Sequence, residues 1–175
     1  MRTRTWLATA FGILLAASIL SAPSLAQETK IPEDEDPFQY NRLASGYFTV
    51  GKCIHDYKLV GVGGSAEEFM WRGLTLGADF SYQKFLEDET GFGTASLLIG
   101  YHFGDRKNPG KFDPFVNFSP FGAYFTGDGG AAIASFGGGV NYWFKERIGL
   151  HTAVRFTVLG YEEGTTGFNV GVVFR

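Results

Sequence analysis

Two pairs of charged or titratable side chains could do chemistry in this sequence. His102 and His151 could ligate a transition metal through their ring nitrogens, but two ligands without a third Cys, His or carboxylate make a weak site. Asp79 and Arg155 carry opposite charges and could meet as an ion pair. Polar groups that a small fold encloses are normally hydrogen-bonded or paired. We therefore expect these four side chains to form a satisfied polar interior and not a metal site.

Nucleophilic catalysis would need a serine beside a histidine that an acid orients. The candidate serines have no histidine at the same expected depth; they are Ser81, Ser96, Ser119 and Ser135. The glycines of residues 61–64 resemble a phosphate-binding loop only superficially, because they lie inside an expected strand and no helix follows. The sequence thus predicts no catalytic residue, no cofactor and no metal, and hence no enzyme.

Two other reactive side chains, Cys53 and His55, lie close together in the chain. Cys53 is the only cysteine, so no intrachain disulfide can form. We expect Cys53 to be a loop residue, and we expect His55, next to Asp56, to be exposed in an outer loop. Neither residue supports a site.

The elements that must position these residues are strands. In residues 72–84, bulky apolar residues alternate strictly with glycine and polar residues, so Phe80 and Asp79 face opposite ways. The period of two recurs in residues 93–103, 134–144, 148–158 and 168–174 and, less regularly, in residues 43–51, 59–71 and 113–125. Proline cannot donate to a ladder, so Pro114 should start its strand and Pro120 should lie at a bulge. The pattern predicts eight strands.

Volume decides which face of these strands lies inside. The chain is 45% hydrophobic and 17% aromatic, with 25 glycines among 175 residues. The interior of an eight-stranded barrel is just wide enough for side chains, so the aromatic set would overfill it, whereas the glycine, Ser, Thr and Asn set would fit. Lipid accepts an apolar outer face, and in hydrocarbon only a closed sheet leaves no unpaired edge. We predict an all-β fold, an eight-stranded antiparallel up-and-down transmembrane β-barrel.

The N-terminal segment has the features of an export signal. Arg2 and Arg4 precede an apolar run in residues 7–20, and small residues follow at the positions that a signal peptidase recognises, up to Ala26. We expect residues 1–26 to be a signal peptide, residues 27–42 an acidic flexible leader and residues 43–175 the barrel. With eight strands after an exported N-terminus, both chain ends should lie on the periplasmic side.

Charge limits the partners of this chain. The formal net charge is −3, which argues against a nucleic-acid partner because phosphate binding there needs clustered Lys and Arg. The expected periplasmic turns are mostly basic (residues 71–73, 105–111 and 145–147), and the opposite connections are mostly acidic (residues 52–58, 87–91, 127–130 and 160–167). The acidic rim is either a solvated loop surface or a surface for cations, for a basic partner or for lipopolysaccharide through bridging cations.

A family resemblance rests on two segments. Residues 137–150, followed by Arg155, resemble the penultimate hairpin of the small Gram-negative outer-membrane β-barrels, the group that contains the OmpA-type transmembrane domain, and residues 69–74 are similar. The resemblance implies insertion by the outer-membrane assembly machinery, whose signal is an alternating aromatic C-terminal strand; residues 168–174 match it, although the chain ends in Arg175. Some barrels of this kind are lipid A deacylases, but His151-Thr152-Ala153 departs from their His-x-Ser-Asn run.

Three functional hypotheses follow. The first is a monomeric outer-membrane barrel with a structural and interaction role, whose partners are the lipid bilayer and lipopolysaccharide. The second is a narrow pore, favoured by glycines on the expected lumen face that would leave room for water, namely Gly77, Gly137, Gly139, Gly149 and Gly171. The third is a soluble periplasmic binding barrel of lipocalin shape, with its apolar face turned inward.

Overall fold

The computed structural model describes residues 42–53, 56–87, 90–104, 110–127, 129–159 and 163–175. Its strands are β1 Arg42–Cys53, β2 Lys58–Trp71, β3 Leu74–Phe85, β4 Gly91–His102, β5 Phe112–Thr126, β6 Gly129–Trp143, β7 Ile148–Leu159 and β8 Glu163–Phe174. Each strand pairs antiparallel with the next, and β8 pairs with β1, so the sheet closes into a barrel. In the described residues, no helix is long and apolar enough to cross a membrane. The predicted eight-stranded up-and-down barrel is confirmed.

The two faces of the strands differ as the alternation predicts. Bulky apolar side chains cover the outside; Phe48, Phe118, Phe136 and Phe174 are examples, each about half exposed or more. Small and polar side chains face the lumen, where Thr75, Asp79 and Ser119 are fully buried. Among the described residues the bulky apolar set points outward, as hydrocarbon requires, so the lipocalin-like alternative with its apolar face turned inward is wrong.

Turn and bulge chemistry set the register. Arg72 and Gly73 connect β2 to β3 with φ values of 40° and 94°, the pattern of a type I′ hairpin, whose twist matches that of the flanking strands. The pairing of β5 with β6 shifts between Ser119 and Gly122, so Pro120 lies at a bulge as predicted. We call the end of the barrel with the chain ends and this hairpin the terminal end, and the opposite end the loop end.

Three expectations about single segments need correction. Cys53 is the buried last residue of β1 and not a loop residue, because its pairing with Thr165 of β8 extends the ladder. Pro114 is the third residue of β5, where it faces outward and Phe112 begins the strand. Asp113, the first residue of the strand expected over residues 113–125, is the second residue of β5 and lies next to a buried histidine. β8 begins at Glu163, inside the connection expected over residues 160–167.

Several expectations fall on residues outside the described ranges. They are the signal peptide, the leader up to residue 41, His55, most of the connection over residues 105–111, and the rim acids Asp88, Glu89, Asp128 and Glu162.

Candidate functional site

The lumen holds the polar side chains that the sequence singles out, and its centre is an ion pair. Arg155 of β7 donates from Nη1 to Asp79 Oδ1 at 2.5 Å and from Nη2 to Asp79 Oδ2 at 3.0 Å. The Tyr47 hydroxyl of β1 donates to Asp79 Oδ2 at 2.7 Å and accepts from Arg155 Nη1 at 3.3 Å. A bidentate, charge-assisted pair of this kind is among the strongest polar contacts in proteins. Strict alternation places Asp79 and Arg155 on the lumen face, and the structure brings them together.

A second polar cluster lies between this ion pair and the terminal end. His102 Nδ1 lies 2.8 Å from Asp113 Oδ2, and His102 Nε2 lies 3.6 Å from Glu67 Oε2, just beyond hydrogen-bond length. The Thr75 hydroxyl donates to the same Glu67 oxygen at 2.6 Å. An imidazolium at His102 would therefore compensate two carboxylates that the barrel wall shields from water.

His151 joins this cluster from the other side. Its Nδ1 is 2.9 Å from Asn141 Oδ1, and the Asn141 amide in turn donates to Asp113 Oδ2 at 3.3 Å. The Phe115 ring stacks on both imidazoles, at 5.4 Å from His102 and 5.2 Å from His151 between ring centroids. Among the described residues, no group of three or more His, Cys, Asp or Glu could hold a metal ion. The two histidines thus belong to one hydrogen-bonded network, and they stack on the same aromatic ring.

Sequence inspection alone did not single out Glu67 or Asp113 as partners of His102. The alternation of inward and outward side chains along β2 and β5 is the signal that could have found them, because it places both carboxylates on the lumen face, as His102 is on its own strand. The irregular pattern of both strands hides this parity, and the bulge in β5 reverses it after Ser119.

Apolar side chains pack inside the barrel at the terminal end and along one wall of the loop end. At the terminal end, Leu43, Trp143 and Val173 form a buried cluster against which Phe69 packs. At the loop end, rings contact one another in a row with centroid separations of 5.4 to 6.3 Å, from Tyr57 through Phe85 and Phe92 to Tyr124. Between the ion pair and the loop end, a cavity of about 10 Å³ has room for about one water molecule.

The serine hydroxyls lie apart from the histidines in the described part of the barrel. Ser96 donates to Ser119 at 3.4 Å, and Ser81 pairs with Thr94 at 2.7 Å. The residues 61–64 lie within β2, so they form no phosphate-binding loop.

Comparison with known proteins supports the fold. No protein-family model matches the chain, and no curated protein matches it. Among solved structures, Neisserial surface protein A is similar at 13% identity and a TM-score of 0.59, over 76% of this chain and 94% of its own. The N-terminal barrel domain of Pseudomonas aeruginosa OprF is similar at 23% identity and a TM-score of 0.54, over 77% of this chain and 96% of its own. The attachment invasion locus protein Ail of Yersinia pestis is similar at 9% identity and a TM-score of 0.51, over 77% of this chain and 95% of its own. The chain thus has the fold of the small eight-stranded transmembrane β-barrels of Gram-negative bacteria.

Proposed function

We propose that this protein is a monomeric outer-membrane barrel with a structural and interaction role in the cell envelope, without conduction and without catalysis. The observation that carries the proposal is the filled lumen. Arg155, Asp79 and Tyr47 cross it at mid-depth, an apolar cluster fills it at the terminal end, and aromatic rings line one wall at the loop end. Function then belongs to the surfaces that meet lipid, lipopolysaccharide and other envelope components.

The lumen glycines argue against the narrow pore. A Cβ at Gly139 would meet the Thr152 carbonyl oxygen and lie 2.7 Å from the Ala153 Cα, and a Cβ at Gly171 would lie 2.5 Å from the Tyr47 Cα. These glycines let adjacent strands approach closely around a small barrel, so the space of the missing side chains is taken up by backbone and does not open toward water.

The absence of catalysis is supported by the partners of the histidines. In the described residues, Nδ1 of His102 contacts the Asp113 carboxylate and Nδ1 of His151 contacts the Asn141 amide, and neither ring pairs with a serine hydroxyl. General-base activation of a serine nucleophile would need such a pair.

The outer face supports the lipid and assembly partners. Phe168, Val170, Val172 and Phe174 point outward from β8, and each exposes two-fifths of its surface or more, as expected for the strand that the assembly machinery recognises. An interaction role is compatible with this fold, since Ail, a similar barrel, is described as an attachment and invasion protein. Lipopolysaccharide is the partner that an outer-leaflet surface meets first.

Planar-bilayer recording tests the proposal. The unchanged protein should give no steady conductance steps, whereas the double variant Asp79→Ala/Arg155→Ala, which removes the central crossing, should give brief openings. Heat-modifiable gel mobility would first establish that both proteins form barrels. Steady channels from the unchanged protein would overturn the proposal in favour of the narrow pore.

A further inference from the structure

Three lysines cluster on the outer wall of the barrel at the loop end. Lys52, Lys58 and Lys84 belong to the neighbouring strands β1, β2 and β3, at positions whose parity points away from the lumen. Lys52 is the direct cross-strand partner of Lys58, and Lys84 pairs with Val60, one step along the same face of β2 from Lys58. We call these three residues the lysine patch.

The patch is confined to one sector of the barrel. Among the described residues, every other lysine and arginine lies at the terminal end, except Arg155 in the lumen. The outward positions near the loop end of the remaining strands carry no charge; they include Gly93, Phe125, Ala132, Val158 and Phe168. The positive charge of the outer wall at this level is thus concentrated on β1 to β3.

Two of the three ammonium groups have no anionic partner in the described structure. Lys52 pairs with Asp56 at 2.9 Å. Glu87, the other described acid nearby, accepts from the backbone N–H of Lys58 at 2.9 Å and not from its ammonium group. Like charges directly opposite on two strands destabilise the pairing, and Asp56 compensates only Lys52, so a further anion between or above Lys52 and Lys58 would be favourable.

The level of the patch indicates what that anion is. Just below it, towards mid-membrane, the same outer face shows the apolar side chains Val50 and Val62 and the amphipathic Tyr82, each about half exposed. The Tyr82 hydroxyl reaches up to Gly91, the cross-strand partner of Lys84, because a Cβ built on Gly91 would meet it. Aromatic hydroxyls and lysine heads above an apolar band mark the boundary between hydrocarbon and head groups.

We propose that Lys52, Lys58 and Lys84 bind the phosphate groups of an outer-leaflet glycolipid, whose acyl chains lie along β1 to β3 below them. This proposal rests on the proposed function, in which lipopolysaccharide is a partner, and it assigns a direct site on the barrel wall. Ammonium groups are effective point-charge ligands for phosphate, and a phosphate between neighbouring strands relieves the repulsion of the two facing lysines.

The test measures lipid A retention by the full mature barrel in detergent, using native mass spectrometry. The variant Lys58→Gln/Lys84→Gln should retain about tenfold less bis-phosphorylated lipid A than the unchanged protein, since each lysine contributes independently to anion attraction at a membrane surface. The matched control is Lys111→Gln/Lys145→Gln, which removes the same charge from the terminal end and should retain lipid A normally. Heat-modifiable mobility checks that each variant is folded.

Two further arms separate the possible sources of phosphate. Lipid A without phosphates should bind the unchanged protein and the patch variant equally weakly, and phosphatidylglycerol should bind less well than lipid A. Equal retention of lipid A by the patch variant and the control variant would overturn the site, and equal retention of phosphatidylglycerol would overturn the glycolipid assignment. Either result leaves the non-conducting barrel standing, because that proposal is judged by conductance.

Discussion

Arg155 of β7 holds both carboxylate oxygens of Asp79, which lies on β3 at the opposite wall of the barrel. Three strands lie between β3 and β7 in either direction around the closed sheet. The pair therefore connects walls that share no backbone hydrogen bond, and it does so with charges that the strands have removed from water. Each partner depends on the other, since either alone would be an uncompensated buried charge.

Removing one member of this pair should be more harmful than removing both. Asp79→Ala leaves the Arg155 guanidinium enclosed without a counter-charge, so the free energy of unfolding should fall by about 3 to 5 kcal/mol. Asp79→Leu/Arg155→Met should lose less, because apolar side chains fill a similar volume without a charge. Urea unfolding in lipid vesicles, followed by gel mobility, measures both. Equal losses in the single and the double variant would show that the two residues do not couple.

An exposed acid provides the control for this comparison. Glu146 lies exposed in the turn between β6 and β7, and Glu146→Gln should change the free energy of unfolding by less than about 0.5 kcal/mol. A loss comparable to that of Asp79→Ala would mean that total charge, and not the central pair, determines the stability.

The backbones of β6 and β7 approach closely at Gly139, so we expect that no larger residue can replace this glycine. A Cβ at Gly139 would overlap the backbone of β7 at Thr152, which flexible side chains cannot relieve. Gly139→Ala should therefore lower the free energy of unfolding by about 1 to 3 kcal/mol, in the range of overpacked cores. Gly46→Ala is the matched control, since a Cβ there meets nothing within 4 Å and points to lipid. If both variants unfold at the same urea concentration, the glycines do not set the curvature.

The sequence predicts the barrel well because its strongest signal is geometric. Strict alternation in β3, β4, β7 and β8 reports two chemically different faces, and the volume of an eight-stranded interior decides which face points inward. The same parity places Asp79, His102, His151 and Arg155 in the lumen. Which of these side chains touch also depends on the register in which neighbouring strands pair. Bulges shift that register, as between Ser119 and Gly122, and alternation alone does not predict them.

Strand ends were harder to predict than strand faces. The composition around Cys53, with Lys52 and His55 nearby, is typical of a loop, but pairing across the barrel extends β1 over it. Cys53 pairs with Thr165, and Asp113 pairs with Asn141. A strand continues as long as the neighbouring strand supplies backbone hydrogen-bond partners. The sequence of one strand alone does not show where those partners end.

Trp143 should tolerate phenylalanine but not alanine. The ring lies buried with Leu43 and Val173 at the terminal end, and the Arg175 guanidinium carbon lies 4.2 Å from its centroid. Its indole nitrogen is buried without a hydrogen-bond partner among the described residues, so Trp143→Phe removes an unsatisfied donor while keeping an aromatic face. Trp143→Ala should cost about 3 to 5 kcal/mol of unfolding free energy, and Trp143→Phe much less. The reverse order in urea unfolding would mean that the indole nitrogen has a partner.

The pKa of Asp56 reports on the lysine patch, because its carboxylate contacts Lys52. The hydrogen bond from Lys52, together with the charge of the same ammonium group, holds the pKa of the exposed Asp56 carboxyl below its ordinary value. A carboxyl whose pKa is lower in the folded state adds stability above its unfolded pKa of about 3.9, and that contribution is lost as the pH falls through the folded value. Lys52→Gln should return the Asp56 pKa to its ordinary value, as carboxyl NMR titration would measure.

The same titration shows whether the lysine patch takes phosphate as proposed. Bis-phosphorylated lipid A should raise the Asp56 pKa in the unchanged protein, because a phosphate on Lys52 competes for the ammonium group and adds negative charge nearby. Lys145→Gln, at the terminal end, should leave both the Asp56 pKa and its response to lipid A unaltered. An Asp56 pKa that is identical in the unchanged protein and in Lys52→Gln would show that the loop pair does not persist in solution. An Asp56 pKa that falls on addition of lipid A would place the phosphate away from Lys52.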